Sequence, residues 1–459
     1  MRSSWSWVAG ASVAFAVAVL ATAPARAVGE KENGFPSWEE RVLLELANRA
    51  RVDPQFEMDA CGSACSEAAC YTPQPPLRYN RDLGRAARFH ADEMVKQGFF
   101  DHPSHCTLVS DIASLYPDQC DGSASCACVG GVSQCNPSCT DTSQRVNMFA
   151  GTYSGEIIAS GGSPESGFYL WLYENGGGST ACKFSMQNGH RWLILTSGAA
   201  VGFGASGYFV GDFGGGGETD KIASGTHWPQ SGSTVEVHAN WYDSAGPKSA
   251  MVNVDGDCKP MTLERGTVTN GTYHATLNGL GSSCHRYFFV FTDTSGQIVT
   301  YPTTGSLGIG PASSCDDWNT DRPATGPSCS CTPDCNGKQC GDDGCGGVCG
   351  NCGTGTVCQG HQCVPTGAGG SGGGSGGAPG GGGSGGSAGA TGGSGVDGGS
   401  GGAAGAGTGA DGSSAKPFDP GEPSGCACST TGSAHGAWGL LAAAALVAGV
   451  GAVRRKRST

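Results

Sequence analysis

Four side chains in the amino-terminal half are of the types that ligate metals or move protons, and each sits in a short distinctive segment. His102 closes Phe99-Phe100-Asp101-His102, and Glu156 follows a glycine in Gly155-Glu156-Ile157-Ile158-Ala159. Glu174 follows Trp171 by three residues, on the same face of a predicted helix, and His190 lies in Gly189-His190-Arg191. Two imidazoles and two carboxylates suit a divalent cation, zinc or calcium, because both groups ligate when deprotonated. They equally suit general acid–base work, or a hydrogen-bond network that ties loops together. His105, three residues past His102, competes for its role, while His90 falls on an apolar helix face and reads as a core histidine. His227, His238, His274 and His285 belong to a strand-rich region and read as structural or surface groups. There is no His-Glu-x-x-His and no Gly-x-x-x-x-Gly-Lys, and Gly-x-Ser-x-Gly occurs only inside a Gly/Ser tract, where composition produces it. No catalytic residue is assigned.

The elements that must position these groups follow from periodicity. Ser37-Trp38-Glu39-Glu40 is a capping-box pattern opening a helix with Val42, Leu43, Leu46 and Ala50 at helical spacing, which ends near Asp53-Pro54. A second helix begins near Asp82 with Leu83, Ala86, Ala87, His90 and Met94 inward. Ser163-Pro164-Glu165 starts the helix that carries Glu174, with Ser as cap and Pro at the first position. Trp192-Leu193-Ile194-Leu195 and Val201 to Phe213 both read as strands, so His190 is expected just before a strand.

These segments, in order, resemble the bacterial branch of the CAP superfamily (cysteine-rich secretory, antigen 5, pathogenesis-related 1; SCP-like). The resemblance rests on Asn48-x-x-Arg51, Pro76-Leu77, Ala86-Ala87-x-x-His90-Ala91, Phe100-x-His102, Gly155-Glu156, Trp171-x-x-Glu174 and Gly189-His190-Arg191, closed by Gly202-Phe203-Gly204. It covers Trp38 to Phe213. It implies an α-β-α sandwich whose cleft gathers His102, Glu156, Glu174 and His190.

The expected organisation is multidomain. Residues 1–27 read as a signal peptide, with Arg2, an apolar run from Val8 to Leu20 and Ala25-Arg26-Ala27. The CAP-like α+β domain spans 38–214, with a Cys-rich loop insertion at 106–139. Alternating runs such as Val235, Val237 and Ala239 and Tyr287 to Phe291 predict a β-sandwich over 222–312. A Cys-rich module (313–365), a disordered Gly/Ser/Ala-rich linker (366–424) and a C-terminal segment (425–459) follow. That last segment joins Gly425-Cys426-Ala427-Cys428 to an apolar run and Arg454-Arg455-Lys456-Arg457. It resembles the myxobacterial C-terminal sorting signal (MYXO-CTERM), which implies processing near Cys426 and Cys428 and transfer to the cell surface; its apolar helix would anchor the chain in a membrane.

The 24 cysteines fall in even groups: ten between Cys61 and Cys182, then Cys258 and Cys284, ten between Cys315 and Cys363, and the final pair. In an exported chain this predicts disulfides closed within each domain, with Cys258 bridged to Cys284 across the sandwich. A net charge of −13 and a pI near 5.1 exclude nucleic acid as an expected partner. The functional expectation is a secreted, surface- or envelope-anchored, non-enzymatic module that binds a small apolar ligand, a cation or a partner protein outside the cell. The alternatives are a metal-dependent hydrolase of matrix or cell wall using the His/Glu set, and a structural envelope protein with an inactive CAP domain.

Overall fold

The structure is a computed structural model. It describes residues 28–365 apart from 134–138, 150–151, 175–181, 186, 217–218, 325–328, 330–333, 342–348, 351 and 354–355. The expected signal peptide, the Gly-rich linker and the C-terminal segment with Cys426 and Cys428 lie outside the described residues. Among those described, no helix is long and apolar enough to cross a membrane.

The first half carries eight α-helices among its described residues: α1 (Trp38–Val52), α2 (Pro54–Met58), α3 (Arg81–Gln97), α4 (Ile112–Leu115), α5 (Ala124–Ala127), α6 (Thr142–Phe149), α7 (Pro164–Tyr173) and α8 (Gly189–Thr196). Its sheet has the order β1-β3-β4-β2, formed by β1 (Arg78–Tyr79), β2 (Gly155–Ser160), β3 (Ala200–Ala205) and β4 (Tyr208–Gly214). α3 covers one face; α1, α7 and α8 cover the other, so helices, sheet and helices form three layers. Alternation along β2 serves both layers. Ile157 and Ala159 join the core shared with α1, α7 and α8, while Ile158 packs with Ala87, Ala91 and Met94 of α3.

The glycines of β3 set the closeness of α3. A Cβ at Gly202 would lie 1.8 Å from the Gly84 nitrogen, and one at Gly204 would lie 2.2 Å from the Arg88 nitrogen. Helix backbone therefore rests directly on strand backbone, which no larger residue permits. The capping boxes at Ser37 and Ser163 form as expected, the latter with Pro164 opening α7. The 106–139 segment is stapled by Cys106–Cys128 and Cys120–Cys126, and its Leu108, Ile112 and Tyr116 share a core with Phe89 of α3.

One expected strand is a helix. Trp192 to Leu195 lie in α8, where Arg191, Ile194 and Leu195 share a buried face and Trp192 and Leu193 lie at its flank. A run of four apolar residues has no period of its own, so tertiary burial decides its state. His190 accordingly stands in the first turn of a helix, not before a strand.

The second half is a β-sandwich. One sheet is β5 (Ile222–Trp228), β6 (Thr234–Tyr242), β10 (Asn270–Asn278) and β9 (Thr262–Thr267), in that order. The other runs β14 (Trp318–Asn319), β13 (Ser306–Ile309), β11 (His285–Thr292), β7 (Ser249–Val254) and β8 (Asp257–Pro260), with β12 (Ile298–Tyr301) also paired to β11. Val235, Val237, Ala239 and Trp241 meet Val252, Tyr287, Phe289 and Phe291 in the core between them. β14 extends the sandwich past the expected boundary at 312.

The expected Cys258–Cys284 bridge does not form. Cys258 pairs with Cys329 and Cys284 with Cys315. Cys258 stands on β8, at the sheet edge, and Cys284 just before the central β11. Each is instead matched to a cysteine of the segment that returns after β13. Beyond it, Cys335–Cys349, Cys340–Cys358 and Cys352–Cys363 staple a small module ending in the hairpin of β15 (Thr356–Gln359) and β16 (Gln362–Pro365). This density of disulfides fits an oxidising, extracellular setting.

The two halves are not beads on a string. Every residue of α1 from Glu40 to Val52 is buried, because the polar face that sequence leaves to solvent is covered by the sandwich sheet of β5, β6, β9 and β10. Asn48 Nδ2 donates to Ser224 Oγ (2.9 Å) and Asn240 Nδ2 to Glu45 Oε1 (2.6 Å). Arg49 and Arg265 both pair with Glu57, and Arg41 donates to the Asp317 carbonyl (2.9 Å).

Candidate functional site

His102 lies on the loop that leaves α3, whose last turn is capped by Gly98 in the left-handed region (φ 74°). The loop is pinned from two sides. His90 Nε2 bonds the Asp101 carbonyl (2.8 Å), while Thr142 Oγ1 (3.0 Å) and Arg145 Nη1 (2.8 Å) donate to the His102 carbonyl. So placed, His102 Nδ1 stands 2.9 Å from Glu156 Oε1 on β2. The other Glu156 oxygen accepts from Arg145 Nη2. Burial alone would raise the Glu156 carboxyl, but Arg145, with His90 and His102, outweighs it and holds the group below the usual carboxylate range.

Behind this pair lies a buried charge cluster. Asp212 is directly opposite Glu156 in the β2–β4 register, and both carboxyls are shielded from water. Burial, and next the Glu156 charge, push Asp212 well above the usual range, so it is protonated and can donate to Glu156. Glu93 of α3 is also buried, 3.6 Å from His90 Nδ1. One guanidinium, Arg145, thus serves three buried carboxyls.

Glu174 ends α7 and reaches the start of α8. Its Oε2 accepts from the backbone N–H of His190 (3.1 Å) and of Arg191 (3.3 Å), capping a helix start where a negative charge is favoured. Its Oε1 stands 3.1 Å from His190 Nδ1, close enough for an ion pair but not aligned as a hydrogen bond. Arg191 fixes the arrangement from inside. It donates to the Leu172 carbonyl (2.6 Å), the Glu174 carbonyl (3.1 Å) and Glu67 Oε1 (2.8 Å), and Glu67 also accepts from Tyr71 and Asn188.

The four residues expected from sequence form two His–carboxylate pairs, His102 with Glu156 and His190 with Glu174. The strand of one pair abuts the helix of the other: a Cβ at Gly155 would lie 2.6 Å from Leu193, one turn beyond His190. Among the described residues, no three of the four offer donor atoms within 4.8 Å of one another, so they do not form a closed metal cage. Sulfurs of Cys340, Cys352 and Cys363 do lie that close, a spacing that could hold an ion. Cys340 and Cys352 are oxidised to Cys358 and Cys363, however, and a disulfide sulfur is not the thiolate a metal takes.

His105 bonds Asp101 and stacks on Phe99 (4.0 Å between centroids), so it is His102, not His105, that pairs with Glu156. His90 is the core histidine expected, though it lies 4.0 Å from Glu156 and belongs to the cluster. In the sandwich, His227 is enclosed between Tyr287 and the Gln230 carbonyl, and His238 stacks on Trp228. His274 pairs with Glu236, and His285 with Asp255. Sequence reasoning missed Arg145, Asp212 and Glu93, and gave Arg191 no role of its own. Only Arg191 had a signal, its place in Gly189-His190-Arg191.

Three exposed aromatic side chains lie close in the chain to members of the pairs, the Phe100 ring resting against Tyr208 (5.1 Å between centroids). Phe100 (40 % exposed) precedes His102 by two residues, and Tyr153 (36 %) precedes Glu156 by three. Phe184 (53 %) lies against Gly189. Burial, and next the charge of Glu156, raise the Tyr153 phenol, so it stays a neutral hydrogen-bonding group. No family model matches the chain, and no curated protein matches it.

Proposed function

We propose that the chain is an exported binding protein of the CAP type, in which a ligand with an apolar surface docks on Phe100, Tyr153 and Phe184 over the two His–carboxylate pairs. The observation that carries this reading is the exposure of Phe100, Tyr153 and Phe184, on the segments that carry His102, Glu156 and His190. A ligand that covered these rings would remove apolar carbon surface from water. The segment order from Asn48 to Gly204 and the three-layer fold support the CAP assignment, and the disulfides support display outside the cell. Hydrolysis is the weaker reading. Glu156 is already committed to Arg145 and His102, and one oxygen of Glu174 is held by the backbone at the start of α8, which leaves little of the set for proton transfer. Attachment at the cell surface through the C-terminal segment belongs to the same proposal.

The test is a titration of the oxidised protein with a fluorescent fatty acid, cis-parinaric acid, alongside calorimetric titration of Zn²⁺ and Ca²⁺. The probe is expected to bind saturably and to lose affinity in F100S/Y153S/F184S. Tight ion binding that disappears in H102A/H190A would replace this reading with a metal site and the hydrolase alternative.

A further inference from the structure

A cavity of about 520 Å³ opens at the seam of the two halves, where the start of α1 meets the segment between β13 and β14. Its volume lies within the range of small-ligand sites, which favour such domain junctions. Lys31, Trp38 and Glu39 line it from one side and Gln230, Asp316 and Trp318 from the other.

The chemistry of the lining is specific. Both indole N–H groups are turned into the protein: Trp38 Nε1 donates to the His227 carbonyl (2.8 Å) and Trp318 Nε1 to the Thr304 carbonyl (3.4 Å). What the two rings offer the cavity is therefore carbon surface. Asp317 is already engaged by Lys31 (2.7 Å), by the Trp38 N–H (2.8 Å) and by Arg41 (3.3 Å). The carboxylates of Glu39 and Asp316 have no hydrogen-bond or ion-pair partner among the described residues, and the Gln230 amide is likewise unused. Burial, and next the neighbouring Glu40, raise the Glu39 carboxyl against the pull of Arg88, with Asp317 adding to the rise; negative charge is in excess here, and an anionic ligand is disfavoured.

Two apolar platforms, free carboxylate acceptors, an amide and no unpaired cation match a pyranose, which has a C–H face and an edge of hydroxyl donors. Hydroxyl-to-carboxylate bonds are charge-assisted, and the C–H face covers indole carbon. We propose that the seam cavity binds a neutral oligosaccharide, stacked on Trp38 and Trp318 with hydroxyls donated to Glu39 and Asp316. This site is separate from the His–carboxylate pairs and does not depend on their reading.

The experiment is calorimetric titration of the oxidised, secreted protein with cellotetraose, maltotetraose and chitotetraose, repeated with spermidine. At least one saccharide is expected to bind with unit stoichiometry. Its affinity should fall at least about tenfold in W318A and severalfold in E39Q/D316N, two exposed and near-isosteric changes that leave the fold intact by circular dichroism. F100S/Y153S/F184S should leave it unchanged. Failure of all three saccharides to bind overturns the proposal, as does binding indifferent to both seam variants. Binding of spermidine alone, lost in E39Q/D316N, also overturns it and makes the cavity an organic-cation site.

Discussion

Glu156 and Asp212 face each other from paired strands, out of water, with Arg145 as the shared cation. Two buried carboxylates so close cannot both ionise, and the pair divides the roles: Glu156 carries the charge and Asp212 the proton. Asp212 has a folded-state pKa above its unfolded value. Its contribution to stability is therefore full at low pH and is lost as pH rises through the folded pKa. An amide in its place donates the same hydrogen bond without that loss. D212N is thus expected to match the wild type only below about pH 3.8 and to gain on it as pH rises from there to 8 in urea denaturation, while D212A, which leaves Glu156 short of a donor, is expected to lose about 1–3 kcal/mol. Removal of the cation is more severe. Arg145→Met should cost about 3–5 kcal/mol in the same measurement, because it leaves Glu156 charged and uncompensated in the interior. His102, Glu156, Glu174 and His190 were legible in sequence because each lies in a compact motif. Arg145 and Asp212 were not: one is a lone arginine on an eight-residue helix, the other a single acid in a glycine-containing strand, and only tertiary packing aims them at Glu156.

Helix α1 was read correctly in its extent and cap, and incompletely in its surroundings. Its apolar stripe of Val42, Leu43 and Leu46 predicts one buried face, and period alone leaves Glu45, Asn48 and Arg49 to solvent. The structure buries that face too, because a polar seam can be covered when each group finds a partner across it. The strands of the sandwich were legible from their alternation, whereas the apolar run in α8 was not, since it fits either state. Glu45 gives the seam a pH dependence. Burial raises its carboxyl from 4.5 to about 7, against the hydrogen bond from Ser224, the charge of Arg49 and the hydrogen bond from Asn240; Glu264 adds to the rise. Since the folded pKa is the higher, the stabilising effect of the protonated acid is present below about pH 4.5 and is lost as pH rises through 7. The stability difference between wild type and E45Q should therefore shift by about 3 kcal/mol, in favour of E45Q, between pH 4.5 and 8. An unchanged difference across that range would mean that Glu45 keeps one charge state throughout.

At the scale of the molecule, the even cysteine groups suggested independently closed domains; the described bridges between Cys61 and Cys182 do close within the first half, but Cys258 and Cys284 pair beyond their own group. Spacing records how many cysteines a segment holds, but pairing is set by which strands lie side by side. The Cys284–Cys315 bridge closes a loop of 31 residues around β11 to β13, so C284S/C315S should lower stability by about 3–4 kcal/mol. The first described residues reinforce the tie: Val28 pairs with Thr303, Glu30 accepts from Thr304, and Lys31 bridges to Asp317 before the chain enters α1. α1 then runs between the first sheet and the sandwich and is covered by both. A fragment of residues 28–214 would expose Glu45, Asn48 and Arg49 on one side of α1 and would lose the partners of Glu57 and Arg41 that lie beyond 222. Residues 28–365 are accordingly expected to melt in a single calorimetric transition, and the 28–214 fragment to melt well below it or fail to fold cooperatively. Two resolved transitions, with the lower half unaffected when the sandwich is removed, would show that the seam is a contact between domains that each stand alone. The same calorimetry on E45Q links the scales, because a change at one buried carboxyl of the seam should move the single transition of the whole.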